Sequence, residues 1–174
     1  MSAAVELLRC AGGTLLLPAM PLVDRLDGGH LWVNPPRIVW ERHLLSPDEL
    51  RDWSWLIAAA GRAMLEVLPQ LKGGCLNYWE AGNWALNALA DPPGHKAPEA
   101  FRQVHMHLLG RSVNATHPDW LWGESPRFPA WRDAKTWAAA FAPLTAQECR
   151  TIAEAAAGRL RADYRLDAHL LTTR

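Results

Sequence analysis

The sequence lacks a surplus of charge of either sign: eighteen Lys and Arg stand against eighteen Asp and Glu. A neutral chain exerts no strong pull on nucleic acid or an anionic membrane, so neither is an expected partner. A small phosphate ligand stays open, because backbone amides and a few side chains can hold it without a basic field. Cysteine is scarce as well. Cys10, Cys75 and Cys149 stand far apart with no CxxC pair, and the odd count argues against a disulfide framework or a cysteine-based zinc site. No segment approaches the roughly 18 consecutive apolar residues that a spanning helix needs. The opening MSAAVELLRCAGG carries an acid and no long apolar run, unlike a signal peptide, so cytoplasm is the expected compartment. No repeat and no linker is visible. The 174 residues are therefore expected to form one domain, burying roughly two thirds of the unfolded surface.

What is present supports a substantial core. Hydrophobic residues make up 49% of the chain, and ten are tryptophan, a side chain with a large area to bury in a core, an interface or a pocket wall. Val5–Arg9, Thr14–Leu17 and His30–Asn34 read as strands, punctuated by Gly12-Gly13 and Asp27-Gly28-Gly29. Pro35-Pro36 must end the third. A helix then opens on Ser46, with Pro47 in the first turn and Glu49 completing a capping box. Leu50, Trp53, Ile57, Ala60, Met64 and Val67 recur at three- and four-residue steps, a core-facing stripe that ends near Pro69 or Gly73-Gly74.

Cys75–Trp79 and Gln103–Leu109 read as two further strands, with a loop or insertion over 84–101 between them. Residues 112–132 are rich in Trp and Pro and have no period. A second capping box, Thr145 with Glu148, opens a helix whose stripe is Cys149, Ile152, Ala153, Ala156, Leu160 and Tyr164; the tail beyond is expected to fray. This order gives an α+β domain: an antiparallel sheet, one long helix packed on it and a C-terminal helix.

His105-Met106-His107 carries the chemistry. In a strand both imidazoles project from one face, joined by Gln103, while Val104, Met106 and Leu108 point into the core. A polar row opposite an apolar row suits the floor of a cleft. Two other readings stay open at this point: plain surface histidines, or a metal site completed by His30 or Asp24.

Gln103–Arg111, QVHMHLLGR, resembles the signature strand of the histidine-triad family, His-φ-His-φ-His-φ-φ, where φ is apolar and a Gly or Pro and an Arg often follow. Gly110-Arg111 sets the register, with His107 at the third histidine, His105 at the middle one and Gln103 at the first. Gly29-His30-Leu31-Trp32-Val33-Asn34-Pro35-Pro36-Arg37 is similar to the family's Gly-His strand, and Leu76–Asn83 to its Asn-containing strand and turn. The match covers about residues 15–111, leaving 112–174 as a C-terminal extension. Two departures stand out: Gln replaces the first histidine, and about twenty residues separate Asn83 from Gln103 where the family has a few.

The resemblance implies that His105 is the nucleophile, that His107 serves the phosphate and leaving-group oxygens, and that Gln103 orients His105. It places Asn77, His30, Asn34, Gly110, Arg111 and Trp79 around the substrate, with Arg111 and Arg37 as candidate cations for phosphate. It implies hydrolysis of nucleotidyl phosphates, dinucleoside polyphosphates such as diadenosine tetraphosphate first and nucleoside phosphoramidates next, through a nucleotidyl-histidine intermediate. No cofactor is required, and a divalent metal can ride on the substrate phosphates. A homodimer with joined sheets is the expected assembly, and the closely spaced Trp53 and Trp55 would suit its interface as well as a core. A nucleotide-binding protein with little turnover, or a nucleotidyltransferase or phosphorylase, are the alternatives.

Overall fold

The computed structural model describes residues 4–171. Six strands form one sheet: β1 (Val5–Cys10), β2 (Gly13–Leu17), β3 (His30–Asn34), β4 (Cys75–Ala81), β5 (His105–Arg111) and β6 (Ala168–Leu170). Four helices accompany them: α1 (Pro47–Val67), the single turn α2 (Pro98–Phe101), α3 (Ala134–Ala139) and α4 (Ala146–Tyr164). The strand order is β4-β5-β3-β2-β1-β6, and every neighbouring pair is antiparallel. The architecture is α+β, as the pattern of elements implied. Among the described residues no helix is long and apolar enough to cross a membrane.

Local chemistry explains the two long helices. The Ser46 hydroxyl accepts from the Glu49 amide at 3.2 Å, and the Glu49 carboxylate accepts from the Ser46 amide at 2.7 Å. Thr145 and Glu148 repeat the arrangement at the start of α4. Each box satisfies two amides that the first helical turn leaves without partners. The first helix stops where a proline forces it: Leu68, just before Pro69, is extended at φ −87° and ψ 111°.

Both long helices pack on one face of the sheet. Leu31 and Val33 of β3 and Leu108 of β5 meet Trp53, Leu56, Ala60 and Met64 of α1 and Ile152, Ala156 and Leu160 of α4, every one buried. The α1 stripe is rotated from the expected one. Leu56, Ala59 and Ala63 are buried, whereas Leu50, Ile57 and Val67 are only partly so, because α4 covers a second flank of the helix. Trp53 is fully buried, and Trp55 stacks on Tyr164 at 5.4 Å. Both tryptophans are thus engaged within the chain.

Two boundaries need correction. Over residues 165–171 the segment after Tyr164 does not fray: Arg165 takes a left-handed conformation (φ 55°), and the chain then returns as β6 along β1; residues 172–174 lie outside the described residues. The Leu171 amide donates to the Leu7 carbonyl at 3.0 Å. Backbone groups that β1 would otherwise present at a sheet edge are satisfied this way. Beyond residue 111, α4 supplies part of the main core and β6 closes the sheet against β1. The strand expected from Gln103 begins at His105.

Candidate active site

The opposite face of the same strands is polar and aromatic. In the register of β3 and β5, Trp32 lies opposite His107 and His30 opposite Leu109; on the far side of β5, Trp79 of β4 is also opposite His107. Alternation sends these side chains and His105 away from the helices. Together they form the floor of an open cleft of about 560 Å³, within the range of small-molecule sites.

Four hydrogen bonds run in series across the floor. The Leu22 amide donates to His30 Nδ1 at 3.1 Å. His30 Nε2 meets His107 Nδ1 at 2.7 Å, His107 Nε2 meets His105 Nε2 at 3.1 Å, and His105 Nδ1 meets the Gln103 carbonyl at 2.9 Å. Both ends of this chain are unambiguous, because an amide only donates and a carbonyl only accepts. With neutral rings every tautomer follows. His30 carries its proton on Nε2 and donates to His107; His107 carries its proton on Nε2 and donates to His105; His105 carries its proton on Nδ1 and donates to Gln103. The unprotonated nitrogen of His105 is Nε2, and its lone pair accepts from His107.

Burial keeps the rings neutral. His30 and His107 are 2% and 6% exposed, and His105 is half-buried. Desolvation, with a smaller contribution from His105, pushes His30 down to about 3. Desolvation followed by the neighbouring His30 and His105 drives His107 far below the usual imidazole range. His105 is lowered as well, chiefly by burial and further by Arg102, against a raising contribution from the Gln103 carbonyl.

The tryptophans hold the floor in place. Trp79 stacks on His107 at 5.3 Å and on Phe128 at 4.4 Å, so its ring is committed within the protein. Behind it lies a small second core of Leu22, Val23, Leu109 and Trp120, with Trp137 packed against it. The Trp-rich segment thereby acquires a structural role. Asp27 anchors it, accepting from the Thr116 amide at 2.8 Å and the His117 amide at 3.1 Å. One approach requires glycine: a Cβ on Gly110 would lie 2.1 Å from the Gly28 carbonyl oxygen.

The structure brings together His105, His107, His30, Asn34, Trp79 and Gln103, all lining the cleft. Gln103 is exposed and meets His105 through its backbone carbonyl, so the orienting contact is independent of the Gln side chain. His30, expected beside the substrate or on a metal, spends both ring nitrogens on Leu22 and His107. Asp24, the other candidate ligand, accepts from the Leu26 and Ala142 amides instead. Among the described residues no group of three or more His, Cys, Asp or Glu is arranged to hold a metal ion.

Three expected substrate contacts lie outside the cleft lining: Asn77, Gly110 and Arg111. Arg111 is 5% exposed, its guanidinium lies 4.4 Å from the Trp120 ring centroid, and it donates to the Glu124 carbonyl. Gly110 accepts from the Trp120 indole at 2.8 Å. The fold uses both to fasten the Trp-rich segment. Arg37, the second candidate cation, pairs with Glu49 at 2.9 Å at the start of α1.

Sequence reasoning missed the upper walls. Trp84, Ala85 and Phe101 line the cleft from the segment between β4 and β5, facing Ala19, Met20 and Leu22 from the β2–β3 connection. Arg102 fastens that segment, reaching Asn83 Oδ1 at 2.9 Å, Glu41 Oε2 at 2.9 Å and the Trp40 carbonyl. The length of the insertion was the available signal, but nothing in its composition says which way it folds.

No protein-family model and no curated protein matches the chain. Solved structures do. One, described as uncharacterized protein LPG0439, is 11% identical over 99% of this chain and 89% of that one, with a TM-score of 0.50. Another, a hypothetical histidine triad nucleotide-binding protein from Sulfolobus tokodaii strain 7, is 16% identical over 87% of this chain and 83% of that one, with a TM-score of 0.45. At these identities the likeness to the first is one of fold.

Proposed function

We propose that the chain is a nucleotide hydrolase of histidine-triad type that passes a nucleotidyl group through His105. One observation carries this reading: the directed chain of hydrogen bonds from Leu22 to Gln103 keeps His105 Nε2 unprotonated and held only by the His107 N–H, at the floor of a cleft sized for a small molecule. The resemblance of QVHMHLLGR to the family's signature strand supports it.

The lone pair of His105 Nε2 forms a bond to the α-phosphorus, and the bond from phosphorus to the leaving atom breaks, its electron pair departing with that atom. Water then adds to phosphorus, the P–N pair returns to Nε2, and one water proton passes to solvent. Two easier displacements replace one hard one. The Nδ1–H contact to the Gln103 carbonyl stabilises the positive charge that the ring gains on phosphorylation. The Nε2–H of His107, freed from His105 once Nε2 is bonded, turns to a phosphate oxygen; one such donor is worth about 3 kcal/mol in a transition state. His30 holds His107 in the tautomer that makes this donor.

Dinucleoside polyphosphates such as diadenosine tetraphosphate and nucleotide amidates both satisfy this chemistry. The test is intact mass after a brief, acid-free quench with each substrate, beside a His105→Ala control. A nucleotide-sized increase that the control lacks is the expected result. Neither adduct nor nucleotide release, from protein that still binds nucleotide, would make the chain a binding protein.

A further inference from the structure

The insertion over 84–101 supplies one wall of the cleft, yet it has no apolar core of its own. Ala85, Ala88 and Leu89 are exposed, Leu89 by 73%. Of residues 84–101 only Lys96 is buried, and it is 5% exposed. Its ammonium thus sits where a hydrophobic side chain usually would. Lys96 Nζ donates to the Asn87 carbonyl at 2.6 Å, the Ala90 carbonyl at 3.1 Å and the Gly94 carbonyl at 3.4 Å. An ammonium has three N–H donors and no acceptor, so three converging carbonyls match it donor for donor. The same nitrogen lies 5.9 Å from the Phe101 ring centroid, within the range at which a cation is drawn to an aromatic face. Carbonyl dipoles and a ring hold this buried charge.

These contacts reach both aromatic residues of the wall. The Asn87 carbonyl accepts from Lys96, while the Asn87 amide donates to the Trp84 carbonyl at 3.2 Å. On the other side Lys96 stands two residues before α2, whose last residue is Phe101. Two further backbone bonds close the loop around the ammonium, from Ala90 to Asn87 at 3.0 Å and from Gly94 to Ala88 at 2.8 Å. Arg102 ties the insertion only at its ends, through Asn83 and its own place beside Phe101. Between those ends Lys96 is the one buried side chain.

We propose that Lys96 is a positioning residue for the cleft: its ammonium takes the place of an apolar core in 84–101 and sets Trp84 and Phe101 as a fixed wall. Lys96 itself lies outside the cleft lining and acts through those two rings. Removing the ammonium leaves three carbonyl oxygens facing one another without a donor, and opening the loop to water is the way to satisfy them. The inference concerns the wall, so it stands or falls apart from the reaction at His105.

The test is amide hydrogen exchange on the intact chain and on Lys96→Met, which keeps the reach of the side chain and removes its charge. The amides of Asn87, Ala90 and Gly94 should exchange about tenfold faster or more in the variant, while those of α1 and β5 keep the parent rate. Kinetics with diadenosine tetraphosphate give a second readout. KM should rise about tenfold with kcat within about twofold, because the reacting groups are untouched. Parent-like exchange over 84–101 in Lys96→Met would overturn the inference. Faster exchange throughout α1 and β5 would overturn it too, since Lys96 would then serve overall stability and no particular wall. A fall in kcat at unchanged KM would also count against it, by placing the effect on the reacting groups. Absence of turnover in the parent chain would overturn the proposed function and leave the exchange rates to decide the role of Lys96.

Discussion

Strands β3 and β5 present two faces with opposite demands. On the helix face, Leu31, Val33 and Leu108 are fully buried against α1 and α4, where any residue of the right volume and no polarity would serve. On the cleft face, one residue along in each case, His30 and His107 are fixed by directed hydrogen bonds of 2.7 and 3.1 Å, and Trp32 packs edge-on against His107. The two faces share a backbone, so the first supplies the rigidity that the second requires. The difference teaches where substitution costs stability and where it costs chemistry.

That contrast can be broken most severely at His105. His105→Ala should reduce nucleotide release by about a thousandfold or more, as removal of a nucleophile does. Its melting temperature should scarcely move, because the ring is only half-buried. Leu108→Ala should do the reverse, costing about 3 kcal/mol in a urea titration through the cavity it leaves. Well below its transition, its turnover per folded molecule should stay near the parent value. A large loss of turnover there would mean that the helix face shapes the cleft more directly than the two-face picture allows.

His30 sits between the extremes, since it is buried like a core residue yet bonded like a site residue. His30→Ala should lower kcat by about 10- to 100-fold through loss of the His107 tautomer and orientation, with less effect on KM. The same burial makes acid destabilising. With His30 held at about 3 against an ordinary 6.5, the unfolded chain binds protons first as pH falls. Stability should therefore decline from about pH 6.5 downward, by roughly 1 kcal/mol per pH unit for each such histidine. In His30→Leu the slope should flatten, whereas in Leu108→Ala it should persist; urea midpoints across that range decide. Activity should hold to lower pH than an ordinary imidazole permits, because His105 is also lowered.

The smallest effect belongs to Gln103. Its carbonyl, not its amide, meets His105 Nδ1, so Gln103→Ala should keep turnover within roughly twofold. A loss of tenfold or more would return the orienting role to the side chain.

Much of this was legible in residue order. The capping boxes at Ser46 and Thr145 locate both long helices within a residue, because the side-chain contacts that start a helix are three residues apart and need no distant partner. Alternation through Val104–Leu108 correctly divides β5 into a core side and a cleft side. The contribution of His30 was less legible. Seventy-seven positions separate it from His107, and only the β3–β5 register brings a nitrogen of each ring to 2.7 Å from the other. Arg111 followed the family's spacing, but its environment is set by Trp120 and Glu124 from a segment with no periodicity to read.

By itself, then, the sequence determined the elements, the polarity of each face and the residue types available for phosphate chemistry, because those depend on contacts within a few positions of the chain. Only the tertiary structure decided which nitrogen of His105 is unprotonated, where each arginine is held and what walls the cleft. Those properties follow from strand register and long-range packing, where a hydrogen-bond partner is set by proximity in space.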